Sequence, residues 1–371
     1  MKPLCEAFLS LCDEFYFVST EDATNVGYQI ADNADYVLAY FEDSQKALVR
    51  QKILDADVVV FGSCPIELIE LRMANDKLSF IYSERFFKKG TWRRFIPSVR
   101  KTMKRKIVNY ADKKLFVLSA SAFLSYDLSL LGFPSEKCFK WGYFPKIIEY
   151  ENIDKILDKK EPGAILWCGR LIGLKHPEHA IRIAKLLKEA GYKFNLDMIG
   201  DGIMRRSLEK KIEKWGLSGC VRLLGSKSSE EVRTYMEKSQ IFLFTSNRME
   251  GWGAVLNESM NAGCAVVASD SIGSVPLLIH SGKNGKVYKS GDVKGLYKNI
   301  SALLDNPQKT REMGQMAYQT LISEWNAEEA AKRLLALVNS IDNGSAFAKF
   351  DSGPCSNSAI VKDGWYKKKR S

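Results

Sequence analysis

The stretch "IFLFTSNRMEGWGAVLNESMNAGCAVVAS", Ile241 to Ser269, decides the fold. It opens on an apolar run of strand length. "GAVLNESMNAG" then has helical spacing and closes on Gly263, a residue type suited to ending a helix. "AVVAS" is a second run, rich in β-branched residues. A strand, a helix and a strand in so short a span form a βαβ unit, whose two strands lie parallel.

The same alternation continues upstream. "AILWCG" reads as a strand. "PEHAIRIAKLLKEAG" is helical through Ala180, Ile183, Leu186 and Leu187. "FNLDMIGDG" and "VRLLG" are strands, and "MRRSLEKKIEKWG" and "SSEEVRTYMEKS" are helices. This pattern predicts an α/β domain with a parallel sheet covered by helices on both faces. Ligands of such sheets bind beyond the carboxyl ends of the strands. Earlier still, "FYFVST", "DVVVFGS", "KLSFIYSE" and "KLFVLSAS" supply the strands of a second α/β unit. A chain of 371 residues suits two domains. The expected division is 1–155 and 163–325, separated by the polar stretch "EYENIDKILDKKEPG". A helix over 326–342 is expected to return to the first domain. The Ser/Gly-rich segment 343–371, ending in "KKKR", is expected to be a disordered basic tail.

Net charge is +11, which favours an anionic partner. No nucleic-acid recognition motif is present, and the charge is concentrated in one segment and the tail, so nucleic acid is not expected. No apolar run approaches the roughly 18 residues of a membrane span. The opening "MKPLCEAFLSLCDEF" lacks a signal-peptide pattern. Eight scattered cysteines with no C-x-x-C pair point to a reducing cytoplasm, without a disulfide framework or zinc site.

Four places at strand ends could carry chemistry. In "CGRLIGLKH", Arg170 and Lys175 set two cations at the mouth of the sheet, suited to a diphosphate. Gly200, Asp201 and Gly202 allow close approach to backbone. Gly225, Ser226 and Lys227 could offer backbone groups to a base. In "EGWGAVLNES", Gly251 and Gly253 leave N–H groups free where a helix begins. Glu250 and Glu258 could each accept two hydrogen bonds from a vicinal pair of sugar hydroxyls. Asp55 and Asp57 form the one Asp-x-Asp pair, but they enter a strand instead of leaving one, so no metal is expected.

"EGWGAVLNESMNAGCAVVASD" resembles the nucleotide-sugar motif of retaining glycosyltransferases of family 4, whose E-x-x-x-x-x-x-x-E signature is matched by Glu250 and Glu258. "GRL", Lys175, "GDG" and "LLG" follow the family's order and spacing. The resemblance covers roughly Ala164 to Ile341. "SERFFKKG" and "KCFKWGYFP" resemble bacterial surface-polysaccharide members more loosely. The resemblance implies a GT-B fold, two Rossmann-like domains facing a cleft. It implies that Glu258 binds ribose hydroxyls and Glu250 the donor sugar. Arg170 and Lys175 would hold the diphosphate, assisted by N–H groups of Gly251, Trp252, Gly253 and Ala254. The base would sit against the loops after Gly200 and Gly225. The expected reaction is retaining, metal-independent transfer from a UDP-linked sugar to a glycan or lipid-linked acceptor, with no cofactor.

Two departures stand out. The chain opens in a helix, so the first strand of the N-terminal domain is expected to be missing. All three histidines, His176, His179 and His280, lie in the second half, and no catalytic base is assigned. Two other readings stay open: a nucleotide-sugar epimerase, and a non-catalytic nucleotide-sugar-binding protein. Glu84 and Arg85 are expected on the acceptor side. Ten Lys or Arg lie between Arg85 and Lys106, interleaved with Trp92, Phe95, Ile96, Val99, Met103, Ile107 and Tyr110. This segment, 85–110, reads as a peripheral surface for the anionic inner leaflet or as a helix packed on the sheet.

Overall fold

The computed structural model describes residues 2–22, 34–344 and 349–366. They divide into two compact units, Met1–Lys146 with Glu324–Val361 and Ile147–Ser323 with Lys362–Ser371.

In the first unit, β1 (Phe17–Ser19) pairs in parallel with β2 (Val37–Ala39). A separate parallel sheet has the order β3 (Val59–Phe61), β4 (Ser79–Ser83), β5 (Leu115–Ser119), β6 (Cys138–Lys140). β5 is buried along its whole length, as apolar runs in parallel sheets require. β3 is different. Among the described residues it pairs with β4 alone, and Val60, inside the apolar run "DVVVFGS", is 42% exposed. Among the described residues β1 pairs with β2. Arg72, fully buried, ties the layers together by donating to the carbonyls of Ile53, Ala56, Asp57 and Leu78.

Two expectations need correction. Residues 349–366 are ordered against the protein. Cys355–Ser358 adds an antiparallel segment to β6: Lys140 N–H donates to Ser356 O and Ser358 N–H to Cys138 O, both at 2.8 Å. The free edge of β6 offers backbone groups, and small residues such as Ser358 fit beneath it, where Ser125 Oγ donates to Ser358 Oγ at 2.7 Å. Residues 345–348 and Lys367–Ser371 lie outside the described residues. The division between units also falls earlier than the polar stretch suggests. Ile148 N–H donates to Asn261 Oδ1 and Tyr150 N–H to Tyr318 Oη, each at 2.9 Å, which anchors this stretch within the second unit. Helix Ala327–Asp342 belongs to the first unit, against helix Lys2–Leu9.

The second unit is a six-stranded parallel sheet in the order β12 (Gly285–Tyr288), β11 (Ala265–Ser269), β10 (Ser239–Phe244), β7 (Glu161–Cys168), β8 (Asn195–Ile199), β9 (Val221–Leu223). The chain moves outward from β7 in one direction through β8 and β9, then returns to β10 and proceeds the other way. The order therefore reverses between β7 and β10. Loops leaving those two strands diverge there and open a crevice at their carboxyl ends.

Candidate active site

The residues at this reversal point are those leaving β7 and β10. After β7 the chain passes Gly169 and Arg170 and makes a short 3-10 turn, Gly173–Lys175. After β10 it passes Thr245 and Ser246 to Glu250. The ammonium of Lys175 pairs with the Glu250 carboxylate, and both side chains are largely buried. Ser246 Oγ donates to the same carboxylate oxygen at 3.0 Å. Thr245 Oγ1 accepts from Trp167 Nε1 at 2.9 Å and donates to Lys175 O at 2.6 Å, so the core tryptophan of β7 helps fix both loops.

Glu258 sits in helix Val255–Asn261, directly after the Glu250 loop. Burial holds its carboxyl above the usual carboxylate range, only partly offset by Arg233. Among the described residues the carboxylate has no hydrogen-bond partner. Arg233 contacts the helix elsewhere, donating to Glu258 O and Asn261 O at 3.3 Å. Cys168, at the end of β7, links the groups electrostatically. Burial pushes its thiol up to about 12, Glu258 adds to that rise, and Lys175 opposes it. Lys175, Glu250 and Glu258 therefore lie around one strand end. Arg170 leaves the same strand end and is exposed.

The glycine stations serve close approach. Gly200 has φ 125°, and a Cβ there would overlap the Gly169 carbonyl. Its N–H donates to Gly225 O at 2.8 Å, Gly169 N–H to Ile199 O at 3.0 Å, and Leu171 N–H to Asp201 O at 2.8 Å. The three loops after β7, β8 and β9 are thus stitched backbone to backbone. Asp201 is turned to this purpose, accepting from Gly202 N–H at 2.7 Å and pairing with Arg205 at 3.3 Å. Lys227 pairs with Glu231 at 2.9 Å, beside the exposed Ser226. Gly253, φ 79°, lies against the Phe244 ring where no side chain fits. Ala254 follows it immediately before the helix, and Gly251 is buried.

Trp252, expected near the donor, is fully buried, with Nε1 donating to Asn257 Oδ1 at 2.8 Å. Its indole packs the interior, so the group expected to assist the diphosphate is its backbone N–H. In the first unit, the Arg85 guanidinium is buried beside Asp127 at 3.2 Å and over the Phe123 ring, so it is committed within the domain and not open to an acceptor. Glu84 accepts from Tyr143 Oη at 2.7 Å and pairs with Lys88.

Sequence reasoning assigned no role to Thr245, Ser246 or Asn247, although "TSN" directly follows the apolar run of β10. That position was the available signal. His176, Glu178 and His179 bring their ligand-type atoms within 4.8 Å of one another. The two rings stack at 4.7 Å and 6°, and Glu178 Oε1 lies 2.7 Å from His176 Nδ1.

Residues 149–320 match the family model for glycosyl transferases group 1. The chain is 28% identical over 236 residues to the amylovoran biosynthesis glycosyltransferase AmsK of Erwinia amylovora, covering 62% of this chain and 57% of the relative. It is 31% identical over 146 residues to the putative colanic acid biosynthesis glycosyltransferase WcaL of Escherichia coli K12, covering 38% of this chain and 36% of that one. The chain thus spans little more than half of one relative and about a third of the other. Among solved structures, Anabaena Alr3699/HepE in complex with UDP is similar with a TM-score of 0.63 at 16% identity, covering 82% of this chain and 85% of that one. A glycosyltransferase from Rickettsia africae ESF-5 gives 0.66 at 15% identity, covering 93% and 94%. At such identities the likeness is one of fold, and the fold is the α/β GT-B type.

Proposed function

We propose that this protein is a glycosyltransferase of bacterial surface-polysaccharide biosynthesis. It transfers a sugar from a UDP-linked donor to a glycan or lipid-linked acceptor, with retention of anomeric configuration and no metal. The observation that carries the reading is the Lys175–Glu250 pair at the reversal point of the sheet, with the Glu258 carboxylate, which has no hydrogen-bond partner among the described residues, on the adjoining helix. The named roles of AmsK and WcaL, and the UDP in the HepE complex, support the donor and the pathway class.

Breaking a sugar–diphosphate bond builds negative charge on the departing oxygen. Lys175, with Arg170 on the same loop, supplies fixed positive charge for it, so a metal is not needed for that task. Glu250, oriented by Ser246 and Lys175, accepts from donor sugar hydroxyls and fixes the reacting carbon. Glu258 accepts from the two ribose hydroxyls. That clasp requires the ionised carboxylate, and the hydroxyls supply the hydrogen bonds the free protein lacks there. The departing phosphate takes the acceptor's proton, so no enzyme base is assigned.

The protein acts from the cytoplasmic side. No helix among the described residues is long and apolar enough to cross a membrane. The membrane contact we propose is peripheral, through residues 85–110, where Trp92 and Phe95 are 58% and 67% exposed and helix Pro97–Lys106 buries none of its residues.

Hydrolysis and transfer with a panel of nucleotide sugars test the reading, with and without EDTA. Glu250→Ala is expected to lower kcat by about 100-fold or more. NMR of the product's anomeric proton is expected to report retention. A wild-type protein that binds UDP-sugars without ever hydrolysing or transferring them would be a binding protein instead. A rate abolished by EDTA and restored by Mg²⁺ would refute the metal-free mechanism.

A further inference from the structure

Lys175 is aimed by the residue that follows it. His176 has φ 48° and ψ 51°, in the left-handed region, and precedes Pro177. A side chain bearing a β-carbon rarely adopts that conformation, and the proline behind it restricts the backbone further. Strain of this kind persists only where surrounding contacts over-determine it. Here the contacts are explicit. Asn247 N–H donates to Leu174 O at 2.9 Å, and Asn247 Nδ2 lies 3.1 Å from His176 Nε2. Asn247 Oδ1 is already engaged by Met249 N–H at 2.9 Å, so the amide presents its NH₂ to the ring. His176 Nε2 therefore accepts, and Nδ1 carries the proton and donates to Glu178 Oε1 at 2.7 Å. Both ring nitrogens are used, in one tautomer, on either side of the turn.

We propose that His176 and Asn247 form a latch that positions Lys175 against Glu250 and the donor diphosphate. His176 is a positioning residue: its ring nitrogens are engaged by Glu178 and Asn247. The latch joins the loop after β7 to the loop after β10, so it also sets the spacing of the two groups that face the donor. The inference rests on the reading of this site as a nucleotide-sugar site.

The test compares wild type with His176→Ala, Asn247→Ala, the double variant, His176→Asn and His176→Gly. Each is assayed for UDP-sugar hydrolysis, for binding of UDP and inorganic pyrophosphate by calorimetry, and for melting temperature. His176→Ala is expected to lower kcat by about tenfold to a hundredfold, the scale of a misplaced catalytic group. KM is expected to change much less. The double variant is expected to lose little more than the worse single variant, as coupled residues do. His176→Asn is expected to recover part of the loss, because asparagine tolerates left-handed backbone and can still accept from Asn247. His176→Gly is expected not to recover it, because it eases the backbone without restoring the latch. Wild-type kcat in His176→Ala, multiplicative losses in the double variant, or full rescue by glycine would each overturn the latch while leaving the donor site standing. A wild-type protein that binds neither UDP nor pyrophosphate would overturn the site reading and the latch with it.

Discussion

Glu258 has a measurable consequence at the level of one side chain. Its folded pKa is raised by burial, so between the ordinary carboxylate value and the raised one the folded state holds a proton that the unfolded state has released. Stability is then lost as pH rises through that window. Glu258→Gln carries no such charge. It is expected to melt higher than wild type at neutral pH, with the difference shrinking below the ordinary carboxylate range, as thermal melts across pH would register. The same variant should bind UDP more weakly, since an amide oxygen accepts less strongly than a carboxylate. Arg72 makes the opposite kind of claim. Its guanidinium is buried against carbonyl oxygens and burial lowers its pKa to about 10. Arg72→Met abandons the acceptors of Ile53, Ala56, Asp57 and Leu78 together. A loss of at least about 3 kcal/mol in urea unfolding is expected, at roughly 1–3 kcal/mol for each abandoned buried group. Of the candidate site, Lys175, Glu250 and Glu258 stand out in sequence because they fall at strand ends and in the helix that follows. His176 and Asn247 do not, because a left-handed turn held by side-chain hydrogen bonds leaves no periodicity. A histidine before a proline was its only trace.

Among the elements, long and strongly patterned ones were legible and short ones were not. β7, β10 and β11 lie where their apolar runs predict, and helix Pro97–Lys106 begins at its proline, where the fixed φ suits the first turn. β2, β6 and β12, "VLA", "CFK" and "GKVY", are too short to display alternation. The segment Cys355–Ser358 has no strand-like composition at all, and its conformation is imposed by the edge of β6. The turn Thr91–Phe95 and the helix after it show how an element can be read by what it fails to bury. Two large aromatics lie beside Arg93 and Arg94, an arrangement suited to the boundary of a bilayer. Replacing Trp92 and Phe95 together by serine is expected to weaken cosedimentation with vesicles containing anionic lipid by about tenfold or more, from the apolar burial forgone. Unchanged partition would assign the segment to another role.

For the whole chain, the two units are not consecutive in sequence. The first is completed by residues 324–361, after the second has been traversed. Ending the chain at Gly344 would bare the edge of β6 and remove Cys355, which is fully buried. Such a truncation is expected to lower the melting temperature and to raise aggregation, as light scattering would report, because an unpaired edge invites pairing with other chains. Labelling by a thiol reagent offers no substitute for that measurement, since the truncated chain no longer carries the cysteine. The division into two α/β units was legible from alternation alone. The path by which the chain returns was legible only for the helix at 327–342.

That returning path also orders events during synthesis. Domains made on a ribosome ordinarily fold from the amino end as they emerge. Here the earlier unit must wait for Glu324–Val361, while nearly all of the later one, Ile147–Ser323, is already made. The portion holding Lys175, Glu250 and Glu258 can thus condense first, and the leading segment spends the longest time exposed to chaperones and proteases.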